Sequence, residues 1–257
     1  LNAILNITNL QIPLIWNDAK CNRIYIEEIF KEIEKTDIVV LPETFTTGFA
    51  VKNFHPEKMD GISVQWLKEC AQKYDFAISG SLLVEEAGQF YNRMLFVSPN
   101  GEIQQYDKWH LFTMGGEGKL ISKGVKLPIF NYKGWKMKPL ICYDLRFPVS
   151  IRNTEDYDLI ICIANWPKAR VDAWDTLLKA RAIENLCYVV GVNRVGVDAN
   201  GLEYIGHSNI YDPIGKSLHK VTEIEQVQTT AIEKLRIETT RKTFPFLRDM
   251  DFFKIKN

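Results

Sequence analysis

Apolar and polar positions along the chain follow two interleaved rhythms, one of strands and one of helices. Residues 3–12 form an apolar run that reads as a strand. From Asp18, whose carboxylate suits an N-cap, Tyr25, Ile26, Ile29, Phe30 and Ile33 recur at helical spacing. Asp37-Ile38-Val39-Val40-Leu41-Pro42 is then a short continuous apolar run closed by proline, the pattern of a strand buried on both faces. The first unit is therefore β-α-β. Downstream, Ser63 opens a helix with Val64, Leu67, Ala71 and Tyr74 on one face, and residues 76–84 are strand-like. Residues 91–97 and 103–106 flank Pro99-Asn100-Gly101, a hairpin signal. Residues 135–142 and 157–164 read as strands, and residues 172–186 as a helix centred on Trp174, Leu177, Leu178, Arg181 and Ile183. Residues 188–195 give a strand, Asp212-Pro213-Ile214-Gly215 a hairpin turn, residues 227–232 a strand, and the residues from Glu233 a last helix. Alternating βαβ units mixed with hairpins predict an α/β fold with a mixed sheet, or two, covered by helices. No fixed-period repeat and no Pro/Gly/Ser-rich linker interrupts the pattern, so residues 1–257 are expected to form one domain.

Composition narrows the function classes. Of 257 residues, 46% are hydrophobic and 25% charged, and 32 basic residues balance 32 acidic ones. A neutral chain lacks the basic surplus that gripping nucleic acid or an anionic membrane surface requires. Apolar stretches fall far short of the roughly 20 residues that span a bilayer, and residues 1–15 have neither a basic n-region nor a small-residue cleavage site. Five cysteines, an odd number without a C-x-x-C pair, do not make a disulfide framework and fit the reduced thiols of a cytoplasmic protein. The four histidines show no zinc spacing, and no phosphate-binding glycine loop or G-x-S-x-G elbow occurs. With no metal or nucleotide cofactor expected, thiol or carboxylate chemistry is what elimination leaves.

Reactive groups on α/β sheets gather beyond the carboxyl ends of strands, so polar residues that abruptly end apolar runs are informative. Three segments qualify. Val39-Val40-Leu41-Pro42-Glu43 delivers a carboxylate, with Thr44, Thr46, Thr47 and Gly48 to supply hydrogen bonds and a sharp turn. Desolvated there, Glu43 can serve as a general base; taken alone, the segment reads as ending in a solvated loop glutamate. Pro139-Leu140-Ile141-Cys142-Tyr143-Asp144 delivers a thiol. A core thiol is the ordinary alternative, but the run turns polar right after Cys142, whereas Cys162 is followed by Ile163 and Ala164 and reads as core filling. Tyr106-Asp107-Lys108-Trp109-His110 offers a lysine that is either a snorkelling surface residue or an ammonium able to hold an oxyanion. Glu43, Lys108 and Cys142 together would supply base, cation and nucleophile, with His110 the one histidine that could compete as base.

These segments, with Ala164-Asn165-Trp166-Pro167 and Arg181-Ala182-Ile183-Glu184-Asn185, resemble the nitrilase superfamily of carbon–nitrogen hydrolases over essentially the whole chain. The resemblance implies a four-layer α-β-β-α sandwich with two mixed β-sheets, a homodimer or larger assembly, and a Glu43-Lys108-Cys142 triad that needs no cofactor. His110-Leu111-Phe112, Met114 and Glu117 are most similar to the bacterial omega-amidase branch, which acts on 2-oxoglutaramate and 2-oxosuccinamate. Glu117 corresponds to a second glutamate common near the triad. In the implied mechanism Glu43 deprotonates Cys142, Lys108 and the Tyr143 N–H hold the oxyanion, and a thioester forms and is hydrolysed by water. Phe45, Phe112 and Trp166 are candidate pocket walls, and Arg170 the candidate partner of a substrate carboxylate. Asp144 and Arg146 are expected to pair and so fix the turn after the nucleophile. Deaminated glutathione, an N-carbamoyl compound or a nitrile would suit the same triad, and a non-catalytic dimeric binding module is a third reading that the intact triad disfavours.

Overall fold

The computed structural model describes residues 3–50 and 55–255. Strand β1 (Ile4–Gln11) leads to helix α1 (Ala19–Lys31), whose N-cap Asp18 accepts the Cys21 N–H at 3.0 Å, and then to β2 (Ile38–Val40). Helix α2 (Ile62–Tyr74) begins where the Glu57 carboxylate accepts the Ser63 N–H at 2.7 Å. Strands β3 (Ala77–Glu86) and β4 (Gln89–Val97) form a hairpin through Ala87 and Gly88, both with positive φ, a tight connection between longer strands than the sequence pattern suggests. Strand β5 (Ile103–Asp107) completes this part.

The second half adds β6 (Phe130–Tyr132), β7 (Trp135–Ile141), a short helix α3 (Pro148–Ile151), β8 (Leu159–Ala164), α4 (Val171–Asn185) and β9 (Tyr188–Asn193). Short strands β10 (Val195–Val197), β11 (Glu203–Ile205) and β12 (Asn209–Tyr211) follow, then β13 (Gln226–Glu233) and α5 (Lys234–Thr243). One expectation shifts, and one strand is unanticipated. The turn at Asp212 exists, but its return leg is reduced to a single bridge between Tyr211 and Ser217. Strand β6 carries only three residues, too few for a periodic signal.

The strands make two mixed sheets, ordered β13-β1-β2-β3-β4-β5 and β12-β9-β8-β7-β6, with β10 and β11 paired apart from them. Within the first, β1, β2 and β3 run parallel; within the second, β7, β8 and β9 do. Their facing sides share one core: Ile38 and Val40 from the first sheet meet Met137, Ile141, Ile161 and Ile163 from the second. The alternate residues Val39 and Leu41 pack outward on Ile26 and Phe30 of α1 and Leu67 of α2. Ile160 and Cys162 pack outward on Trp174 and Leu178 of α4. Helices therefore cover the outer side of each sheet, giving the α-β-β-α sandwich. This two-sided burial is why the central strands read as unbroken apolar runs. Glu43, Lys108, Cys142 and Asn165 all follow closely on the carboxyl ends of β2, β5, β7 and β8.

Candidate active site

Glu43, Lys108 and Cys142 are each placed just beyond the end of a strand. Cys142 is the first residue of a 3-10 turn, Cys142–Arg146, and has φ +47°. A non-glycine residue held there is strained, and the strain is sustained by neighbours that anchor the turn. Asp144, 1% exposed, accepts the Ile141 N–H at 3.0 Å, the Tyr106 hydroxyl at 2.7 Å and the His110 N–H at 2.8 Å, with His110 Nδ1 at 2.9 Å. On the other side, the Arg181 guanidinium donates twice to the Leu145 carbonyl, at 3.1 and 2.7 Å. The elbow is thus tied both to the lysine-bearing segment and to α4. Asp144 and Arg146 form no ion pair: Asp144 is occupied by Tyr106, His110 and Ile141, and the Arg146 guanidinium instead stacks 4.8 Å from the Trp166 ring. His110 stacks on Phe147 at 3.8 Å and serves the turn, away from the thiol's cavity.

Opposite Cys142 lies a buried cluster of charge. The Lys108 ammonium, 1% exposed, reaches Glu43 Oε1 at 2.9 Å and both Glu117 oxygens, at 3.1 and 3.0 Å. Burial disfavours the Lys108 ammonium, but the Glu117 and Glu43 carboxylates outweigh it and hold its pKa above the ordinary lysine value. The lysine is therefore a fixed cation near neutral pH. Glu117 is also fixed by the Phe112 N–H at 2.6 Å, and Asn92 Nδ2 donates to Glu43 Oε1 at 2.9 Å and to Glu117 Oε1 at 3.4 Å. Glu43 Oε2 accepts the Asn165 N–H at 2.8 Å. The Cys142 thiol is pushed well above its ordinary pKa, first by desolvation and then by Glu43, with Lys108 opposing. It rests as a protonated thiol, so nucleophilic attack from this site needs a base beside it.

Glu43, Lys108 and Cys142 line one cavity of about 540 Å³. Of the residues picked from sequence as walls or anion partner, Phe112, Trp166 and Arg170 line it too, as does Tyr143, the expected oxyanion donor. Phe45 does not. It is fully buried among the residues between the first sheet and its helices, against the Trp66 ring at 6.0 Å, because the turn at Thr44 (φ +46°) that aims Glu43 inward sends the next side chain the other way. The sequence reading missed Arg146 as a cavity cation, and Asn92 and Asn165 as partners of the glutamates. Asn165 had a signal, since it ends the apolar run of β8 just as Cys142 ends that of β7. Arg146 and Arg170, the latter 5.4 Å from the Phe112 ring, have no carboxylate partner among the described residues. No group of three or more His, Cys, Asp or Glu able to hold a metal occurs among those residues.

A sequence profile described as carbon–nitrogen hydrolase matches residues 11–242. The chain belongs to the carbon–nitrogen hydrolase family. This hydrolase is 42% identical over 254 residues to the omega-amidase YafV of Yersinia enterocolitica, covering 98% of each chain. It is 37% identical to the 2-oxoglutaramate amidase of Bacillus subtilis over 228 residues, 86% of this chain and 88% of that one. Among solved structures, the CN-hydrolase superfamily protein XC1258 from Xanthomonas campestris, described with an arsenic adduct in its active site, superimposes with a TM-score of 0.95 at 41% identity, over 99% of this chain and 100% of that one. No helix among the described residues is long and apolar enough to cross a membrane.

Proposed function

We propose that the hydrolase cleaves the omega-amide of small 2-oxo acid monoamides, 2-oxoglutaramate and 2-oxosuccinamate, to the 2-oxo acid and ammonia. The observation that carries this reading is the joint lining of one cavity by a thiol, a carboxylate–lysine pair and two guanidinium groups without carboxylate partners. The triad suits the amide, and Arg146 and Arg170 suit the carboxylate at the far end of the substrate. The names of the omega-amidase and 2-oxoglutaramate amidase relatives support the same substrate class.

Glu43 takes the Cys142 proton as sulfur bonds to the amide carbon and the C=O pair moves onto oxygen. Lys108 and the Tyr143 N–H hold that oxyanion. Collapse restores the carbonyl and breaks the C–N bond while Glu43 returns the proton to nitrogen, so ammonia leaves and a thioester remains on Cys142. Glu43 then deprotonates a water molecule, helped in its orientation by Glu117. Its oxygen bonds to the thioester carbon, and Cys142 departs and recovers the proton. The phenyl and indole rings of Phe112 and Trp166 wall the pocket and backstop the two arginines. No cofactor enters. The five free cysteines suit a reducing cytoplasm, and the exposed Phe244, Phe246 and Phe253 of the C-terminal segment suit a homodimer, which sedimentation tests.

Ammonia release is measured with 2-oxoglutaramate, glutamine, an aliphatic nitrile and an N-carbamoyl amino acid. Turnover of the oxo acid amide is expected to dominate, and Arg146→Ala and Arg170→Ala are each expected to raise its KM roughly 10- to 100-fold with a smaller effect on kcat. Preference for the nitrile or the N-carbamoyl compound overturns the substrate class.

A further inference from the structure

The base and the nucleophile of this site hang from different sheets. Glu43, with Lys108 and Asn92, belongs to the first sheet, whereas Cys142 ends β7 of the second. Among the described residues, every hydrogen bond between the Glu43 carboxylate and the second sheet is made by Asn165. Asn165 follows β8 directly, next to β7 in parallel register with Ile163 opposite Ile141. Its main-chain N–H donates to Glu43 Oε2 at 2.8 Å. Its carboxamide nitrogen donates to the Glu43 carbonyl at 2.9 Å, to Thr44 Oγ1 at 3.1 Å and to Glu43 Oε2 at 3.3 Å. Its own carbonyl stands 4.0 Å from Cys142 Sγ. One residue thus touches the base, the strained turn at Thr44 and the thiol.

The bonding around Glu43 adds a second constraint. Its two carboxylate oxygens receive Asn92 Nδ2 at 2.9 Å, Lys108 Nζ at 2.9 Å, Asn165 N at 2.8 Å and Asn165 Nδ2 at 3.3 Å. Two carboxylate oxygens offer about four lone-pair sites, so the resting carboxylate has none vacant for a thiol proton. The bond from Asn165 Nδ2 to Oε2 is the longest of the four, and that nitrogen keeps two other acceptors when it lets go. We propose that Asn165 is a positioning residue that fixes the Glu43 carboxylate against Cys142 across the gap between the sheets, and that its carboxamide contact to Oε2 is the one that yields to the thiol proton. The amide suits this task because it is a donor without charge. A second carboxylate would repel Glu43, and a second ammonium would hold its lone pairs too firmly. This role rests on Glu43 being the base and Cys142 the nucleophile.

The test uses the full-length protein with Asn165→Ala, Asn165→Ser and Asn165→Asp, assayed with 2-oxoglutaramate across the pH range in which each stays folded by thermal melting. A base displaced by about 1 Å costs on the order of 100-fold, so Asn165→Ala is expected to lower kcat roughly 10- to 100-fold at nearly unchanged KM. Asn165→Ser, which restores a small donor, recovers part of the loss. Asn165→Asp sets a carboxyl beside Glu43. Protonated it donates and ionised it repels, so its deficit deepens as pH rises while that of Asn165→Ala follows the wild-type profile. A change in folding alone moves neither the kcat-against-KM split nor the difference between the two pH profiles. The proposal is overturned if Asn165→Ala keeps kcat within about threefold, if its loss lies in KM, or if the Asp and Ala profiles run parallel. Should Asn165→Ala not fold, the Ser and Asp variants decide by the same pH comparison. Cys142→Ala and Glu43→Gln run alongside: if either keeps turnover the triad reading itself fails, whereas two inert variants beside a normal Asn165→Ala remove only the positioning role.

Discussion

Two thiols on neighbouring strands of the second sheet have opposite fates. Cys162 lies within β8, where it pairs with Leu140, two residues before Cys142 at the end of β7. Burial raises the pKa of both well above the ordinary 9.0, so desolvation does not separate them. The backbone does. Cys162 keeps strand geometry, faces Trp174 and Leu178 of α4, and is fully buried. Cys142 is turned by its φ of +47° into a cavity whose opposite wall holds the Lys108 ammonium and the Glu43 carboxylate. A thiol of raised pKa becomes a candidate nucleophile through what stands beside it when a carbonyl arrives, and a thiol whose pKa is also raised, two residues off in register, is only core.

The largest break in this pairing is Cys142→Ala. Ammonia release is expected to fall by on the order of 10⁴-fold or more, since no other group reaches the amide carbon. Turnover within about tenfold of wild type would remove the thiol from the mechanism. Next in size is Lys108→Met, which deletes the cation from between Glu43 and Glu117. A kcat loss of about 10²- to 10³-fold is expected from the unheld oxyanion. Destabilisation of about 3–5 kcal/mol by urea melting is expected from two carboxylates left without their cation. The same change sharpens the comparison of thiols. Lys108 lowers the Cys142 pKa, so iodoacetamide labelling of Cys142 at a fixed alkaline pH should slow in Lys108→Met, while Cys162 stays unlabelled in both. Equal labelling rates would mean that the ammonium does not act on the thiol.

Much of this division was legible in the sequence, for a physical reason. Central parallel strands are apolar on both faces, so the residue that first breaks the run marks the strand end where chemistry gathers, and Glu43 and Cys142 are legible that way, whereas Lys108 follows the antiparallel edge strand β5 and is legible only as a lysine set among aromatic residues. Asn165 obeys the same rule and was passed over as a mere part of a matching run. What the chain pattern does not carry is side-chain direction. Phe45 and Phe112 are alike as letters, yet one supports the Glu43 turn from within the core and the other lines the cavity. Asp144 and Arg146 are two apart with opposite charges, yet Tyr106 and His110 of a distant segment, with the Ile141 N–H at the head of the same turn, claim the aspartate and an indole claims the arginine. Those choices depend on contacts between residues far apart in the chain, among them Tyr106 and Trp166.

The smallest expected effect tests the other half of the comparison. Cys162→Ala removes a buried sulfur beside Trp174 and Leu178 without touching the cavity. A loss of stability of about 1–2 kcal/mol is expected, with kcat unchanged. The pH dependence of that loss identifies its origin. The folded state holds the Cys162 proton more tightly than the unfolded chain, because burial raises its pKa above 9.0. That contribution is complete below pH 9.0 and is lost as pH rises past it, so the stability advantage of wild type over Cys162→Ala should narrow between about pH 8 and 10. Urea melts of both proteins at the two pH values measure the narrowing. A gap that stays constant or widens would mean that the thiol proton is not what the core protects, and a kcat loss above about tenfold in a stable variant would mean that Cys162 reaches the chemistry through Cys142 after all.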